Sequence, residues 1–182
     1  MDILNRLIPI IVFVGLCAGQ AYAEESSDVS DYKFSVLREL SSQEISELET
    51  ECRTELDHLL ERYFSQYNLP EGFPSSADDF DLVRGSWLLD ERGDRPEYSS
   101  VVRAVGFGFG QLLATNYGFS WALIQDPYGE IISMTRHTEE HEPVSIPPFD
   151  YVEKREQTQS VEVFKHFFEQ VAPELLGDPT RQ

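Results

Sequence analysis

The chain has 182 residues, 33 acidic and 14 basic, for a formal net charge of −19. A surface of that sign repels nucleic acid and anionic lipid, and attracts a cationic protein over a screening length of about 8 Å. Two cysteines, Cys17 and Cys52, are too few for a disulfide framework, so packing must hold the fold together.

The chain opens with Arg6, an almost unbroken apolar run from Leu7 to Cys17, and then Ala21-Tyr22-Ala23 followed by Glu24-Glu25. A bilayer span needs about 20 apolar residues, and this run is shorter. Small residues at Ala21 and Ala23 form a cleavage site. Residues 1–23 therefore read as an export signal, which predicts a periplasmic or secreted protein with no membrane insertion after signal removal. Lipidation at Cys17 is the alternative, but such sites want small residues just before the cysteine and Leu16 stands there. Cys52 then remains alone, on the apolar stripe of a predicted helix. Its neighbours Glu49, Glu51 and Glu55 disfavour a thiolate, so it reads as structural.

Residues 24–40 form an acidic tether and lead-in, 41–176 a single domain, and 177–182 a tail. Ser41 and Glu44 make a capping box, after which Ile45, Leu48, Cys52, Leu56, Leu59 and Tyr63 recur at helical spacing. That helix is predicted to end near Asn68-Leu69-Pro70. Ser76 or Asp78 can cap a second helix using Phe80, Val83 and Trp87, broken around Gly93. Pro96 opens a third, carrying Val101, Val105, Phe109 and Leu112, with Gly118 as its left-handed cap.

The period then changes. Residues 119–124 read as a strand, Asp126 to Gly129 as a turn, and Ile131 to Arg136 as the returning strand. Val144 to Ile146, hemmed in by Pro143 and Pro147, is an edge strand. Phe149 to Glu156 reads as a short helix, and Val161, Phe164, Phe168 and Val171 mark a last one, stopped by Pro173. The order predicts an α+β fold: N-terminal helices, a small antiparallel sheet of about three strands, and two C-terminal helices.

Two segments spell chemical motifs. His137-Thr138-Glu139-Glu140-His141 matches the inverted zinc-peptidase pattern, which needs both imidazoles on one helix face. Following a strand and cut off by Pro143, it reads instead as a solvated hairpin loop. Gly106-Phe107-Gly108-Phe109-Gly110 has the look of a phosphate loop, but it lies inside a helix with no strand before it. Each interior glycine costs a helix about 0.5–1 kcal/mol relative to alanine, so backbone must come close to something there. Gly106 and Gly110 share a face and predict a packing seam. Gly108 lies about 160° away; facing solvent, it would tolerate alanine at no cost. No cofactor and no catalytic residue is assigned. The candidate binding residues are Trp121, Asp126, Tyr128, Lys154 and Arg155.

From about Trp87 to Val171 the motif order resembles an uncharacterised bacterial family known only as a domain of unknown function. The shared pattern is Gly106 and Gly110, Gly118 and Trp121, Asp126 and Gly129, Pro148-Phe149, and Lys154-Arg155. Gly108 and the acidic loop from Glu139 to Glu142 depart from it. The resemblance implies a compact α+β domain and carries no activity. Taken together, the sequence predicts an exported, non-enzymatic binding protein, an inhibitor or accessory factor for a cationic protein partner. The rival is a small metal-assisted hydrolase using His137 and His141.

Overall fold

The structure, a computed structural model, describes residues 33–138, 141–158 and 160–176. The signal residues 1–23, the tether from Glu24 to Asp31 and the tail 177–182 lie outside the described residues. The fold is α+β, with four antiparallel strands in the order β1-β2-β3-β4. No helix among the described residues is long and apolar enough to cross a membrane.

Strand β1, Ser35–Glu39, is the fourth strand, and it lies within the stretch read as a lead-in. All five of its residues are exposed, so no apolar alternation announces it. It pairs along β2, and Leu40 N–H donates to Trp121 O at 2.9 Å. Helix α1, Ser42–Phe64, starts at the predicted capping box, Ser41 with Glu44. It ends at Phe64, a few residues before the predicted stop.

Arg38 reaches over from β1 to Glu44 at 2.6 Å, and Ser41 N–H donates to the same carboxylate at 2.8 Å. Arg38 first, then Ser41, holds the Glu44 carboxyl at about 2, well below its ordinary 4.5. Because the folded value is the lower one, the stabilisation is full above pH 4.5 and is lost as pH falls toward about 2. In urea titrations, the midpoint gap between wild type and Glu44→Gln should stay constant above pH 4.5 and close by about pH 2. A gap that survives at the acid end means the cap, and not the charge, carries the effect.

Helix α2, Ala77–Leu88, is capped by Ser76 with Asp79, and helix α3, Tyr98–Tyr117, ends on Gly118 in the left-handed region at φ 69°. The loop between them folds back on Asp90, whose carboxylate accepts from Arg62 at 3.0 Å, Tyr63 at 3.0 Å and Arg92 at 2.7 Å. Strands β2 (Ser120–Asp126) and β3 (Gly129–Thr138) form the predicted hairpin. Asp126 Oδ1 accepts from the Tyr128 and Gly129 amides at 2.7 and 2.9 Å and fixes the turn. Strand β4, His141–Ile146, is the far edge.

Alternate residues put Trp121, Met134 and Ile146 on the sheet face that joins the helical core, with Phe109, Leu59 and Phe164. The opposite face carries a smaller cluster of Phe34, Ala122 and Ile124, with a buried Ser133–Ser145 hydroxyl pair at 2.7 Å.

Helix α4, Pro148–Glu153, is the short helix expected after the sheet. The last helical stretch runs on past Pro173: α5 (Val163–His166), a π turn (Phe167–Val171) and α6 (Ala172–Leu176). Proline normally ends a helix because its ring meets the carbonyl four residues back. Here Pro173 is the second residue of α6, directly after a wide turn in which Ala172 N–H donates to Phe167 O. The same turn lets Phe167 and Phe168 both reach Phe109, at centroid distances of 5.0 and 5.7 Å.

Candidate functional site

The three glycines of α3 meet three different neighbours. A Cβ on Gly106 would stand 2.7 Å from the Phe149 ring of α4, and one on Gly110 would overlap the Trp121 indole. The predicted seam is therefore present, and its partners are α4 and β2. Gly108 corrects the expectation of a solvent-facing glycine. It is buried, and the tip of the Phe80 ring of α2 occupies the place where a Cβ would stand. A helix carrying three close approaches has no free side there. Gly108→Ala should destabilise by about 1–2 kcal/mol, because overpacking costs about 1–3 and helix propensity returns up to about 1. Thermal melts of the two proteins check the sign.

Beyond Phe80 the helices do not close on one another. A cleft of about 350 Å³ remains between α1, α3 and the loop at residues 72–75. Its apolar wall is Leu56, Phe73, Phe80, Phe107 and Leu112. Cys52 lies at its base, 3% exposed, and burial pushes the thiol up to about 11, with Glu51 and Glu55 adding to the effect. At neutral pH it is a protonated, apolar thiol. The rim is polar: Ser75, Gln111, Thr115 and Asn116, together with Glu49 and Arg53. The last two form a pair at 3.8 Å. Sequence periodicity marks Leu56 and Phe107 as apolar but cannot show that their helices stand apart, so the cleft has no sequence signal.

The residues singled out from sequence are scattered. Trp121 is 4% exposed, packed between Phe107 and Phe149 at centroid distances of 5.4 and 5.9 Å, and belongs to the core. Asp126 is buried at the hairpin turn, while Tyr128 stands 89% exposed at its tip. Lys154 and Arg155 follow α4; Arg155 lies over the Tyr151 ring at 3.4 Å, and Lys154 is 4.0 Å from Asp150. These five do not share one surface.

His137 and His141 both lie on strands. His137 is exposed in β3, at the register shift opposite β4, and His141 begins β4. The one-turn spacing on a helix face that the zinc-peptidase pattern requires is not formed. Among the described residues, no three His, Cys, Asp or Glu side chains are placed to hold a metal ion.

Charge is distributed unevenly. Several cations are paired with carboxylates of the same chain, at or near the surface: Arg38 with Glu44, Arg62 and Arg92 with Asp90, and Lys165 with Asp78 at 3.3 Å. Arg95 lies over the Trp87 ring at 4.0 Å. Arg84 is 1% exposed and donates to the backbone carbonyls of Arg155, Thr158 and Ser160. Carboxylates, by contrast, cover the outer side of α1, where Glu47, Glu51, Asp57 and Glu61 are all exposed. Comparison with known proteins finds no match among family models, curated proteins or solved structures.

Proposed function

We propose that this is an exported protein that acts by binding a cationic protein partner, as an inhibitor or accessory factor. The supporting observation is the way charge is spent. Arg38, Arg62, Arg92 and Lys165 are paired with carboxylates of the same chain and Arg84 is buried against carbonyls, so few cations offset a formal charge of −19, while Glu47, Glu51, Asp57 and Glu61 stand exposed along α1. A field of that kind acts before contact and raises the encounter rate with basic proteins. The N-terminal apolar run and the Ala21/Ala23 site support an encounter outside the cytoplasm, in the periplasm or beyond.

The test is affinity capture from an envelope extract on the immobilised protein, eluted with a salt gradient. The expected partner is basic, is released by salt, and is retained more weakly by Glu47→Gln/Glu51→Gln/Asp57→Asn/Glu61→Gln. An acidic partner, or retention indifferent to salt, overturns the reading. Export is checked separately by the mass of the mature chain, which should begin at Glu24. An intact Met1 or a lipidated Cys17 overturns that half.

A further inference from the structure

We propose that the cleft between α1 and α3 is a binding site for a compact, uncharged amphiphile with a ring-sized apolar body and one hydrogen-bonding head. The inference goes beyond the capture of a cationic partner and does not depend on it.

Size comes first. A cleft of about 350 Å³ falls at the small end of the range that holds small organic ligands, roughly 300–1,000 Å³. A bilayer lipid or a folded peptide segment would not fit within it. The wall chemistry comes second. Phe73, Phe80 and Phe107 line it with aromatic side chains, and Leu56 and Leu112 complete an apolar lining. Aromatic walls favour a flat guest, through stacked and edge contacts.

The floor is also held in a particular way. Phe80 lies on Gly108 with its ring where any Cβ would stand, so the glycine sets how far the ring retreats from the cleft. An alanine there would push Phe80 outward into the space. The middle glycine of α3 thus sets the depth of the cleft, and the helix bears its conformational cost for that reason.

The rim decides the charge of the guest. Ser75, Gln111, Thr115 and Asn116 offer hydroxyls and amides, able both to donate and to accept. The two charged groups, Glu49 and Arg53, face each other at 3.8 Å and leave no net charge at the mouth. In a chain of net charge −19, a neutral mouth is a local exception. An anionic guest would have to approach against the overall field, and a cationic one would have to shed its hydration against an apolar wall whose one rim carboxylate is already paired with Arg53. A neutral head with hydrogen-bonding capacity meets neither obstacle.

The experiment uses two fluorescent probes of nearly the same shape, neutral N-phenyl-1-naphthylamine and anionic 8-anilinonaphthalene-1-sulfonate, titrated into the purified protein. The neutral probe should bind saturably at one per chain, at least tenfold more tightly than the anion, and with little dependence on salt. Gln111→Trp and Thr115→Trp each place a ring across the mouth and should weaken the neutral probe at least tenfold. Thr115 is exposed, so that variant keeps the fold even where the half-buried Gln111 does not tolerate the change. Ser46→Trp, exposed on the outer side of α1, should bind as wild type does. Gly108→Ala should reduce affinity by pushing Phe80 into the cleft. The proposal is overturned by no saturable binding, by equal or tighter binding of the anion, or by binding that survives both rim variants in folded protein. Because the partner capture is read by salt release and the α1 carboxylates, either proposal can fail while the other stands.

Discussion

Replacing Arg84 by methionine should lower the free energy of unfolding by about 3–4 kcal/mol, the largest loss from any single polar change in this protein. The side chain is 1% exposed, and its guanidinium donates to Ser160 O at 2.8 Å, Thr158 O at 2.9 Å and Arg155 O. A hydrogen bond from a charged donor contributes about 1.5–3 kcal/mol, and three such bonds sharing one donor do not add fully. Methionine fills much of the same volume, so the loss reports on the carbonyls and not on a cavity. Lysine should recover only part of it, since an ammonium cannot span three carbonyls as a planar guanidinium does. Denaturant midpoints measure the loss, and hydrogen exchange across residues 154–162 should rise with it. A loss below about 1 kcal/mol would mean that solvent satisfies those carbonyls and that the loop holds itself.

The second large effect is at Gly110. Leucine there should cost about 3 kcal/mol or more, at the upper end of overpacking. The Cβ alone overlaps the Trp121 indole. That ring has no direction in which to retreat, being stacked on Phe107 at 5.4 Å and Phe149 at 5.9 Å. Alanine should already destabilise, because its gain in helix propensity of up to about 1 kcal/mol is smaller than the overlap it creates. This is where Gly110 and Gly108 differ: Phe80 has an open cleft beside it into which it can swing. The order of stability should be wild type, Gly108→Ala, Gly110→Ala, Gly110→Leu in melts. Gly110→Leu with unchanged stability would remove the seam.

Features governed by neighbouring residues were legible in the sequence. The capping box of Ser41 with Glu44, and Ser76 as one of two candidate caps, are local hydrogen-bond patterns, and both start helices. Gly118 as a left-handed cap and the turn at Asp126 are local in the same sense. The seam could be anticipated because the cost of an interior glycine demands a close neighbour.

What could not be read depends on distant chain. Strand β1 exists because β2 offers an edge, and its own five residues carry no buried alternation. Pro173 was taken as a stop because the π turn before it is selected by packing of Phe167 and Phe168 on Phe109. Periodicity sets Gly108 away from the seam but does not say whether solvent or Phe80 covers it, because it shows which residues share a face and not what approaches it. The cleft combines α1, α3 and the 72–75 loop, and no one stretch of sequence contains it.

Helix α2 has one more consequence, and it concerns time. From one helix, Asp81 accepts from the amides of Val163, Phe164 and Lys165, and Arg84 donates to carbonyls of the 155–160 loop. These bonds join residues 71 to 84 positions apart. Contacts over such separations repay their loop-closure entropy only once most of the chain is in place, so they form on the native side of the folding barrier. Weakening them should leave the refolding rate nearly unchanged and speed unfolding by almost the full equilibrium effect. Helix α2 then sets how long a folded molecule lasts more than how quickly it forms.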